Sequence, residues 1–372
     1  MAIDAWPSFA VSLAVACAVF ALTVWAWPRL AGRGARNVLG RIGLQLAITL
    51  TMALPLLLAV NSSYGFYASW GDLLALARDE TSATGSGRPG RDGVRVDGAH
   101  SWRYRNSSDP AMIGRIEAVT VRGARSRIST RAYVHLPPEY LRASAADRRH
   151  FPVVVALSGY PSTTRVLIDL FKYPQHALDG VRAGTMRPAV LVMLTPTVVP
   201  PRDTECMDVP KGPQTETFFA ADLPAAIASH YGLTRNPQAW GVMGNSVGGY
   251  CALKLALRKP DSYRAAAGLS ASYEAAEDPT TGNLFGGNPR YRRENDLLWR
   301  LRNLPQPPVS LLVASSRTGE HQYPDTVDFI NAVQWPARVS SITLPSGGHN
   351  YETWNREVKP TLEWLVSRLQ TP

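Results

Sequence analysis

Two long apolar stretches near the start of the chain carry no charged side chain. They run from Phe9 to Trp27 and from Ile42 to Val60, and each has 19 residues. A helix of 19 residues is about 28 Å long, close to the ~30 Å hydrocarbon core of a bilayer. Pro55 lies in the second stretch, where a membrane helix tolerates it. The pattern predicts two transmembrane helices, at about residues 9–27 and 42–60.

A secretory signal peptide and a buried apolar hairpin are the alternative interpretations of these stretches. The segment before the first stretch, MAIDAW, contains Asp4 and no basic residue, which disfavours a signal peptide. The loop between the stretches has four arginines and no acid, so the positive-inside rule places it in the cytoplasm and the flanking segments outside. These arginines are Arg29, Arg33, Arg36 and Arg41.

A polar segment rich in glycine and serine follows, RDETSATGSGRPGRDG at residues 78–93. It lacks apolar periodicity and has the composition of a flexible linker. We expect order to resume near Ile113. The predicted organisation is therefore a membrane anchor over residues 1–77, a flexible linker over residues 78–112 and a folded domain over residues 113–372.

Short apolar runs alternate with amphipathic segments in the remainder of the chain. Nearly continuous apolar runs are typical of strands that are buried on both faces of a parallel sheet. The alternation predicts an α/β fold, with a mostly parallel sheet covered by helices on both faces. The main predicted strands are residues 151–160, 187–196, 236–244, 263–271, 307–316 and 337–345, and the main predicted helices are residues 218–233, 248–260 and 351–369.

Composition narrows the functional classes. Hydrophobic residues make up 45% of the chain and charged residues 18%, which suits a large core. The net charge is +10, but only five of the 39 basic residues are lysines. No zinc-finger, basic-zipper or aromatic RNA-binding pattern is present, so we expect no nucleic-acid partner. The three cysteines form no CxxC pair, so we expect no structural metal.

The segment GVMGNSVGGYCALKLAL, residues 241–257, joins a predicted strand to a predicted helix through Ser246. Its Gly244-Asn245-Ser246-Val247-Gly248 fits G-x-S-x-G, the nucleophile elbow. The elbow strains the backbone of the nucleophile, so the neighbours must be small. The serine hydroxyl would project above the sheet, and the Val247 N–H would face a developing oxyanion. A glycine-rich turn with a capping serine is the structural alternative.

A serine nucleophile needs a base, and His349 is the best placed of the seven histidines. It lies in LPSGGHNYETW, between the last predicted strand and the last predicted helix, where an α/β-hydrolase carries its base. Glycines beside it would let the loop approach the serine. His321 is the rival, but it shares a loop with the expected acid.

The acid of such a triad should follow the strand VSLLVASS. Glu320 comes first after a small turn, whereas Asp325 and Asp328 resemble the start of a helix, where acids commonly cap. We predict Glu320 as the acid, with Asp325 as the alternative. A second oxyanion donor should come from a loop after an early strand, and the Tyr160 N–H is our candidate there. A simple turn at the strand end is the alternative for Tyr160.

Two of the cysteines, Cys206 and Cys251, are candidates for a disulfide if the domain lies outside the membrane. Cys251 begins the helix after the elbow, and Cys206 lies in a loop before the next predicted helix. Two buried thiols are the alternative, because free cysteine packs as a small hydrophobic residue.

Three segments together resemble the esterase D group of α/β-hydrolases, which includes the mycobacterial mycolyltransferases. They are GNSVGGYCALKLALRKPDSYRAAAGLSA, TETFFAADLP and GGHNYETW, and the resemblance covers roughly residues 114–370. DTECMDVP, residues 203–210, is similar to membrane-anchored actinobacterial members. The resemblance implies acyl transfer through a serine ester to water or to a sugar hydroxyl. It also implies Ser246 as nucleophile, His349 as base and Glu320 as acid.

These observations predict an acyl ester hydrolase in the cytoplasmic membrane, with its catalytic domain outside and no cofactor. The expected substrate is an acyl ester, for example of an envelope lipid or glycan. An acyltransferase that moves an acyl chain onto an envelope sugar or lipid would use the same triad and is the first alternative. A non-catalytic envelope protein and a peptidase are weaker alternatives, since a full set of serine, histidine and acid argues against the former.

Overall fold

The computed structural model describes residues 6–64 and 93–372. The chain forms two compact units, Met1–Ala77 and Arg78–Pro372. In the first unit two helices, α1 Trp6–Ala26 and α2 Ala35–Tyr64, pack against each other. The ranges Ser8–Leu30 and Ala35–Asn61 are long and apolar enough to cross a bilayer. Many of their apolar side chains are exposed, Leu50 by 70% for example, so these helices are candidate membrane spans by length and composition.

The second unit is built on one nine-stranded sheet in the order β1-β2-β3-β5-β4-β6-β7-β8-β9. The first four strands of that order pair antiparallel, and the strands from β5 to β9 pair parallel. The strands are β1 Val94–His100, β2 Arg115–Arg122, β3 Ser129–Leu136, β4 Val153–Leu157, β5 Val190–Leu194, β6 Trp240–Asn245, β7 Ala265–Leu269, β8 Ser310–Thr318 and β9 Arg338–Ser346.

Helices cover both faces of this sheet, as expected for a mostly parallel α/β fold. Every residue of β4, β5, β6 and β7 is buried, which explains why these strands read as continuous apolar runs. The helices are α3 Pro110–Ile113, α4 Pro138–Arg142, α5 Arg165–Asp169, α6 Tyr173–Arg182, α7 Leu223–Tyr231, α8 Val247–Arg258, α9 Pro289–Asn295, α10 Leu297–Asn303, α11 Tyr323–Ala332 and α12 Tyr351–Arg368.

The order of the central strands reverses between β4 and β6. The chain passes from β4 to β5 on one side and then returns to place β6 on the other side of β4. Ligands of open α/β sheets bind at such a reversal, beyond the carboxyl ends of the strands. Leu157 at the end of β4 pairs with Gly244 of β6, so the loops after these two strands start side by side.

The predicted linker ends too late. Residues 94–100 form β1, which pairs antiparallel with β2 and buries Val94 to 2% exposure opposite Val121. The alternating Val94 and Val96 are the sequence signal of this strand, but they follow the polar segment directly and are too few to mark the end of a linker. Residues 101–109 and α3 then connect β1 to β2. The part of the predicted linker before residue 93 lies outside the described residues.

The predicted helix over residues 218–233 is also irregular. Phe218–Asp222 form a π-helical turn before α7 begins at Leu223. Pro224 has no N–H to donate to the preceding turn. Two hydroxyls supply donors there instead: Ser262 Oγ donates to the Ala220 carbonyl at 2.6 Å, and Tyr263 Oη donates to the Phe219 carbonyl at 2.6 Å.

Two loops, residues 195–214 after β5 and residues 270–288 after β7, pack together, and we name them the cap. Four apolar side chains form a small core of their own between the loops. Arg202 Nε of the first loop donates to the Thr281 carbonyl of the second at 2.8 Å. A disulfide between Cys206 and Cys251 ties the cap to α8. The four core residues are Met207, Val209, Leu284 and Phe285.

Replacing both Cys206 and Cys251 by alanine should destabilise the protein. The bridge spans 45 residues of sequence, and loop closure over that length is worth about 4 kcal/mol in the chain-entropy description. We expect a lower melting temperature in non-reducing buffer for this double variant, whereas Cys17→Ala, a change at an exposed cysteine, should melt like the wild type. Three free thiols, counted by alkylation and mass spectrometry of protein purified without reductant, would contradict the bridge.

Candidate active site

Ser246 lies at the sharp turn between β6 and α8. Its backbone has φ 54° and ψ −124°, a conformation that side-chain-bearing residues rarely adopt. The glycines on either side of this turn are required because there is no room for a side chain at their positions. A Cβ at Gly244 would lie 2.7 Å from the Leu157 carbonyl oxygen, and one at Gly248 would lie 2.6 Å from the same oxygen. The turn therefore packs directly against the end of β4.

His349 lies in the loop between β9 and α12, with its Nε2 2.9 Å from the Ser246 Oγ. The Asn350 side chain caps α12 by accepting from the Thr353 N–H at 3.0 Å, which fixes the loop just after the histidine. The Trp354 ring meets the imidazole edge to face, with ring centroids 5.0 Å apart. The Asn350 side chain and the Trp354 indole together hold the imidazole toward the serine.

Glu320 follows β8, and its Oε1 lies 3.4 Å from the His349 Nδ1. The side chain of Glu320 is fully buried, and Ser315 Oγ lies 3.5 Å from its other oxygen. The 3.4 Å separation is longer than an ordinary hydrogen bond, as catalytic contacts often are before substrate binds. The structure thus places His349 between Ser246 and Glu320, with one ring nitrogen facing each of them.

Two glycines allow the loops of the acid and the base to touch. Gly319 has φ 91°, and a Cβ there would overlap the carbonyl oxygen of Gly347. The Gly347 N–H also donates to the Thr318 carbonyl at 3.0 Å. Any larger residue at position 319 would separate the two loops and with them the acid and the base.

The rival residues lie elsewhere. His321, Asp325 and Asp328 are exposed, and Asp328 lies 3.5 Å from Arg302. Asp325 is in the first turn of α11, but the position before that helix belongs to Gln322, so the expected capping role of Asp325 is not observed. Within residues 93–372, none of these side chains forms a hydrogen bond or an ion pair with His349 or Ser246.

The two candidate oxyanion donors lie in segments next to the serine. Val247 is the first residue of α8, and Tyr160 follows Gly159 in the loop after β4. A Cβ at Gly159 would lie 3.5 Å from the Ser246 Cβ, so this loop runs beside the nucleophile. Within residues 93–372 the backbone N–H groups of Val247 and Tyr160 have no hydrogen-bond acceptor and remain available.

A buried ionic group connects the cap to α8 behind the nucleophile. Lys254 is fully buried and donates to the carbonyl oxygen of Glu205, and burial lowers the pKa of Lys254 to about 7. Burial and the Asp203 carboxylate raise the pKa of Glu205 to about 8. Arg258 Nε lies 2.7 Å from the Glu216 carboxylate. A lone lysine in the apolar run CALKLAL was the available sequence signal for this group.

Glu357 is a second buried carboxyl that sequence reasoning missed. It lies on α12 with no exposed surface, and neither carboxylate oxygen has a hydrogen-bond partner among the described residues. Burial, together with the nearby Glu320 carboxylate, raises the pKa of Glu357 to about 8. Glu357 is therefore mostly neutral at pH 7. Its spacing of four residues from Thr353, on the inward face of α12, was the only available signal.

No group of three or more histidine, cysteine, aspartate or glutamate side chains in the described part of the chain is arranged to hold a metal ion.

One family model and several known proteins are similar to this chain. Residues 127–365 match the family described as putative esterase. An uncharacterised protein of Corynebacterium glutamicum is 22% identical over 261 residues, which are 64% of this chain and 57% of that relative, so the chain spans little more than half of the relative's length.

Two solved structures share the fold at low sequence identity. A ferulic acid esterase has a TM-score of 0.57 and 18% identity, over 68% of this chain and 98% of its own. An S-formylglutathione hydrolase from Agrobacterium tumefaciens has a TM-score of 0.56 and 17% identity, over 71% of this chain and 99% of its own. These likenesses show the α/β-hydrolase fold.

Glu357→Gln should make the protein more stable than the wild type, by an amount that grows with pH. Unfolded Glu357 ionises near pH 4.5 and folded Glu357 near pH 8, so the folded state loses stability as pH rises through this window. Glutamine does not titrate. The difference should be near zero at pH 4.5 and reach at most about 5 kcal/mol by pH 8. Thermal melts between pH 4.5 and 8.5 measure it.

Glu352→Gln is the matched control, because Glu352 is exposed on the first turn of the same helix. Its melting temperature should follow that of the wild type at every pH. A difference between Glu357→Gln and the wild type that does not change with pH would contradict the raised pKa.

Proposed function

The chain belongs to the putative esterase family, and from that premise we propose that it is a serine-dependent carboxylic ester hydrolase. Ser246 is the nucleophile, His349 the base and Glu320 the acid of its triad. The observation that carries this proposal is the line from Ser246 Oγ to His349 Nε2 at 2.9 Å and from His349 Nδ1 to Glu320 at 3.4 Å.

The first half-reaction forms an acyl-enzyme. His349 Nε2 takes the Ser246 proton as Oγ attacks the ester carbonyl, and the buried Glu320 carboxylate stabilises the imidazolium that forms. The N–H groups of Val247 and Tyr160 donate to the oxyanion, and removing one such donor in other enzymes costs about 3 kcal/mol. The tetrahedral intermediate then collapses, and His349 gives the proton to the departing alcohol.

The second half-reaction releases the acid. A water molecule gives its proton to His349 and attacks the acyl carbonyl, and the serine leaves with the proton returned by the imidazole. An alcohol in place of water would give acyl transfer by the same steps. We favour water because the family is one of esterases. Turnover with and without an added sugar acceptor, followed by product analysis, separates the two outcomes.

We propose a location outside the cytoplasmic membrane for the catalytic domain, with residues 1–77 as its anchor. The two apolar stretches at residues 9–27 and 42–60 flank a segment with four arginines and no acid, which the positive-inside rule assigns to the cytoplasm. The Cys206–Cys251 disulfide supports the same orientation, because such bonds persist in oxidising compartments. Acyl esters of envelope lipids or glycans are then the accessible substrates.

Ser246→Ala should abolish hydrolysis of 4-nitrophenyl esters without changing the melting temperature. Removal of the nucleophile from a related triad lowers kcat by about 10⁶-fold. Glu320→Gln should lower kcat by about 10⁴-fold, because the imidazole loses its orienting charge. Steady-state kinetics on detergent-solubilised protein measure both effects.

Asp325→Asn is the control for the acid, since Asp325 is exposed and lies in the next helix. We expect it to retain wild-type kcat. A strongly lowered kcat for Asp325→Asn together with a wild-type kcat for Glu320→Gln would assign the acid to Asp325. A wild-type kcat for Ser246→Ala would show that Ser246 is not the nucleophile.

Protease added to intact spheroplasts should cut the catalytic domain from its anchor. Orientation outside the membrane exposes the domain, while a cytoplasmic marker protein remains whole until lysis. Immunoblotting of the domain follows the cleavage. Protection of the domain until the spheroplasts are lysed would place it on the cytoplasmic side.

A further inference from the structure

Four arginines lie on the hairpin that joins β2 to β3, residues 122–131, which we name the arginine hairpin. All four side chains are exposed, and within residues 6–64 and 93–372 none of them forms an ion pair. The carboxylates nearby are already engaged, because Asp97 accepts from Arg95 Nε at 2.8 Å and Asp222 accepts from the backbone of the hairpin itself. The hairpin therefore presents positive charge without a counter-charge. Its arginines are Arg122, Arg125, Arg127 and Arg131.

The pairing of β2 with β3 places two of these arginines on the same face of the sheet. Arg131 lies opposite Thr120, and Arg122 is two residues beyond Thr120 on β2, so the two arginines share a face. The other face at this end of the sheet buries Val121 and Thr130. The alternation along the strands thus leaves the arginines outward.

A buried aspartate holds the turn of the hairpin. Asp222, 5% exposed before the start of α7, accepts from the Arg125 N–H at 3.0 Å and from the Ser126 N–H at 2.8 Å. Arg127 has φ 61°, a conformation that glycine adopts without strain. A long charged side chain kept at a strained position points to a use for its charge. The hairpin is therefore a fixed support for its arginines.

The arginine hairpin lies at the edge of the sheet that carries the triad. β5, β4 and β6 run parallel, and Ser246 follows the carboxyl end of β6. β3 pairs antiparallel with β5, so the start of β3 at Ser129 and the end of β2 lie at this same edge. β5 and β4 lie between β3 and β6, which puts the hairpin roughly 15 Å to the side of the nucleophile by the usual spacing of strands.

The chain also enters this unit beside the arginine hairpin. β1 begins at Val94, which pairs with Val121, and the Arg122 N–H donates to the Gly93 carbonyl at 2.8 Å. Residues 65–92, which connect the candidate membrane spans to this unit, therefore join it next to the arginines. A bilayer that holds those spans is tethered to the unit at the place where its unpaired positive charge lies.

We propose that the arginine hairpin is a docking surface for the anionic head groups of the bilayer, and that this contact turns the triad edge of the sheet toward the lipid. Guanidinium groups donate charge-assisted hydrogen bonds to phosphates, and clustered basic residues are attracted to negatively charged membrane surfaces. The inference rests on the proposed membrane anchor and does not require ester hydrolysis. An anionic polysaccharide would be attracted by the same charges, but the entry of the chain at Gly93 favours the lipid.

Energy transfer from the hairpin to the lipid tests this docking without any turnover. Full-length Cys17→Ala protein carries a fluorophore at Ser129→Cys, an exposed position on the hairpin, while the Cys206–Cys251 bridge keeps the other cysteines unreactive. The protein is reconstituted into phosphatidylcholine vesicles with or without phosphatidylglycerol, each with a trace of acceptor-labelled lipid. We expect at least twofold more transfer with phosphatidylglycerol. The difference should disappear in 1 M salt, where screening acts over about 3 Å.

Replacing the four arginines of the hairpin by glutamine should abolish the difference between the vesicles. Replacing them by lysine should keep most of it, because lysine keeps the charge. The matched control changes four arginines at or just before the starts of β4, β6, β7 and β9, which alters the net charge equally at the opposite edge of the sheet and should leave the difference intact. Thermal melts check that every variant is folded. The two glutamine variants are Arg122→Gln/Arg125→Gln/Arg127→Gln/Arg131→Gln and the control Arg149→Gln/Arg235→Gln/Arg264→Gln/Arg338→Gln.

Equal transfer in both kinds of vesicle, or a difference that survives the glutamine substitutions in the hairpin, overturns the proposal. An equal response from a fluorophore at Ala145→Cys, an exposed position before β4 at the opposite edge, overturns it as well. Equal transfer together with binding of a soluble anionic polysaccharide by the hairpin would make the partner a glycan and overturn the lipid assignment. Flotation of the vesicles separates these results from a failure of the anchor, because protein that does not float with the lipid contradicts the anchor and the docking together.

Discussion

The contact of the Ser246 turn with the end of β4 is the constraint on which the candidate site depends. The turn has a backbone conformation that costs roughly 1–3 kcal/mol and leaves no room for side chains at Gly244 and Gly248. Because β4 and β6 are neighbours at the reversal of strand order, the same contact brings the Tyr160 loop beside the nucleophile. A second contact between backbones, at Gly319 and Gly347, joins acid to base. The site is therefore assembled by loops that touch through their main chains.

Burial then sets the charges around this framework. Glu320 is enclosed next to an imidazole that can become positive, whereas Glu357 is enclosed near Glu320 with no hydrogen-bond partner in the described residues. Burial and the nearby Glu320 carboxylate raise the pKa of Glu357, so Glu357 keeps its proton at neutral pH. The cap has a similar arrangement, in which Lys254 and Glu205 are buried with pKa values moved toward neutrality. A disulfide fastens the cap to the helix that begins at Val247. Ser246 and the cap are thus both attached to α8, and Glu320 lies against α12, which carries Glu357.

The sequence contained the central strands and the elbow, because continuous apolar runs and the G-x-S-x-G spacing are local signals. The predicted runs overlap the central strands but are longer; residues 151–160 are predicted, for example, where β4 spans Val153–Leu157. Features that depend on contacts between distant segments of the chain could not be predicted from the sequence. The strand at residues 94–100 pairs with residues 116–121, and the Val94–Val96 alternation is too short to stand out beside a polar linker. The burial of Glu357 also depends on tertiary packing, which no local sequence pattern indicates. The irregular start of the helix at Phe218 depends on hydroxyls from Ser262 and Tyr263, more than 40 residues later.

The central claim is that Ser246 is a nucleophile activated by its packed surroundings. The most direct measurement is peptide mapping after reaction of the folded protein with a fluorophosphonate. The account predicts one phosphonyl adduct, on the peptide that contains Ser246, and no adduct when the protein is unfolded before the reagent is added. An adduct on another residue, equal labelling of the unfolded chain or no labelling of the folded protein would contradict it.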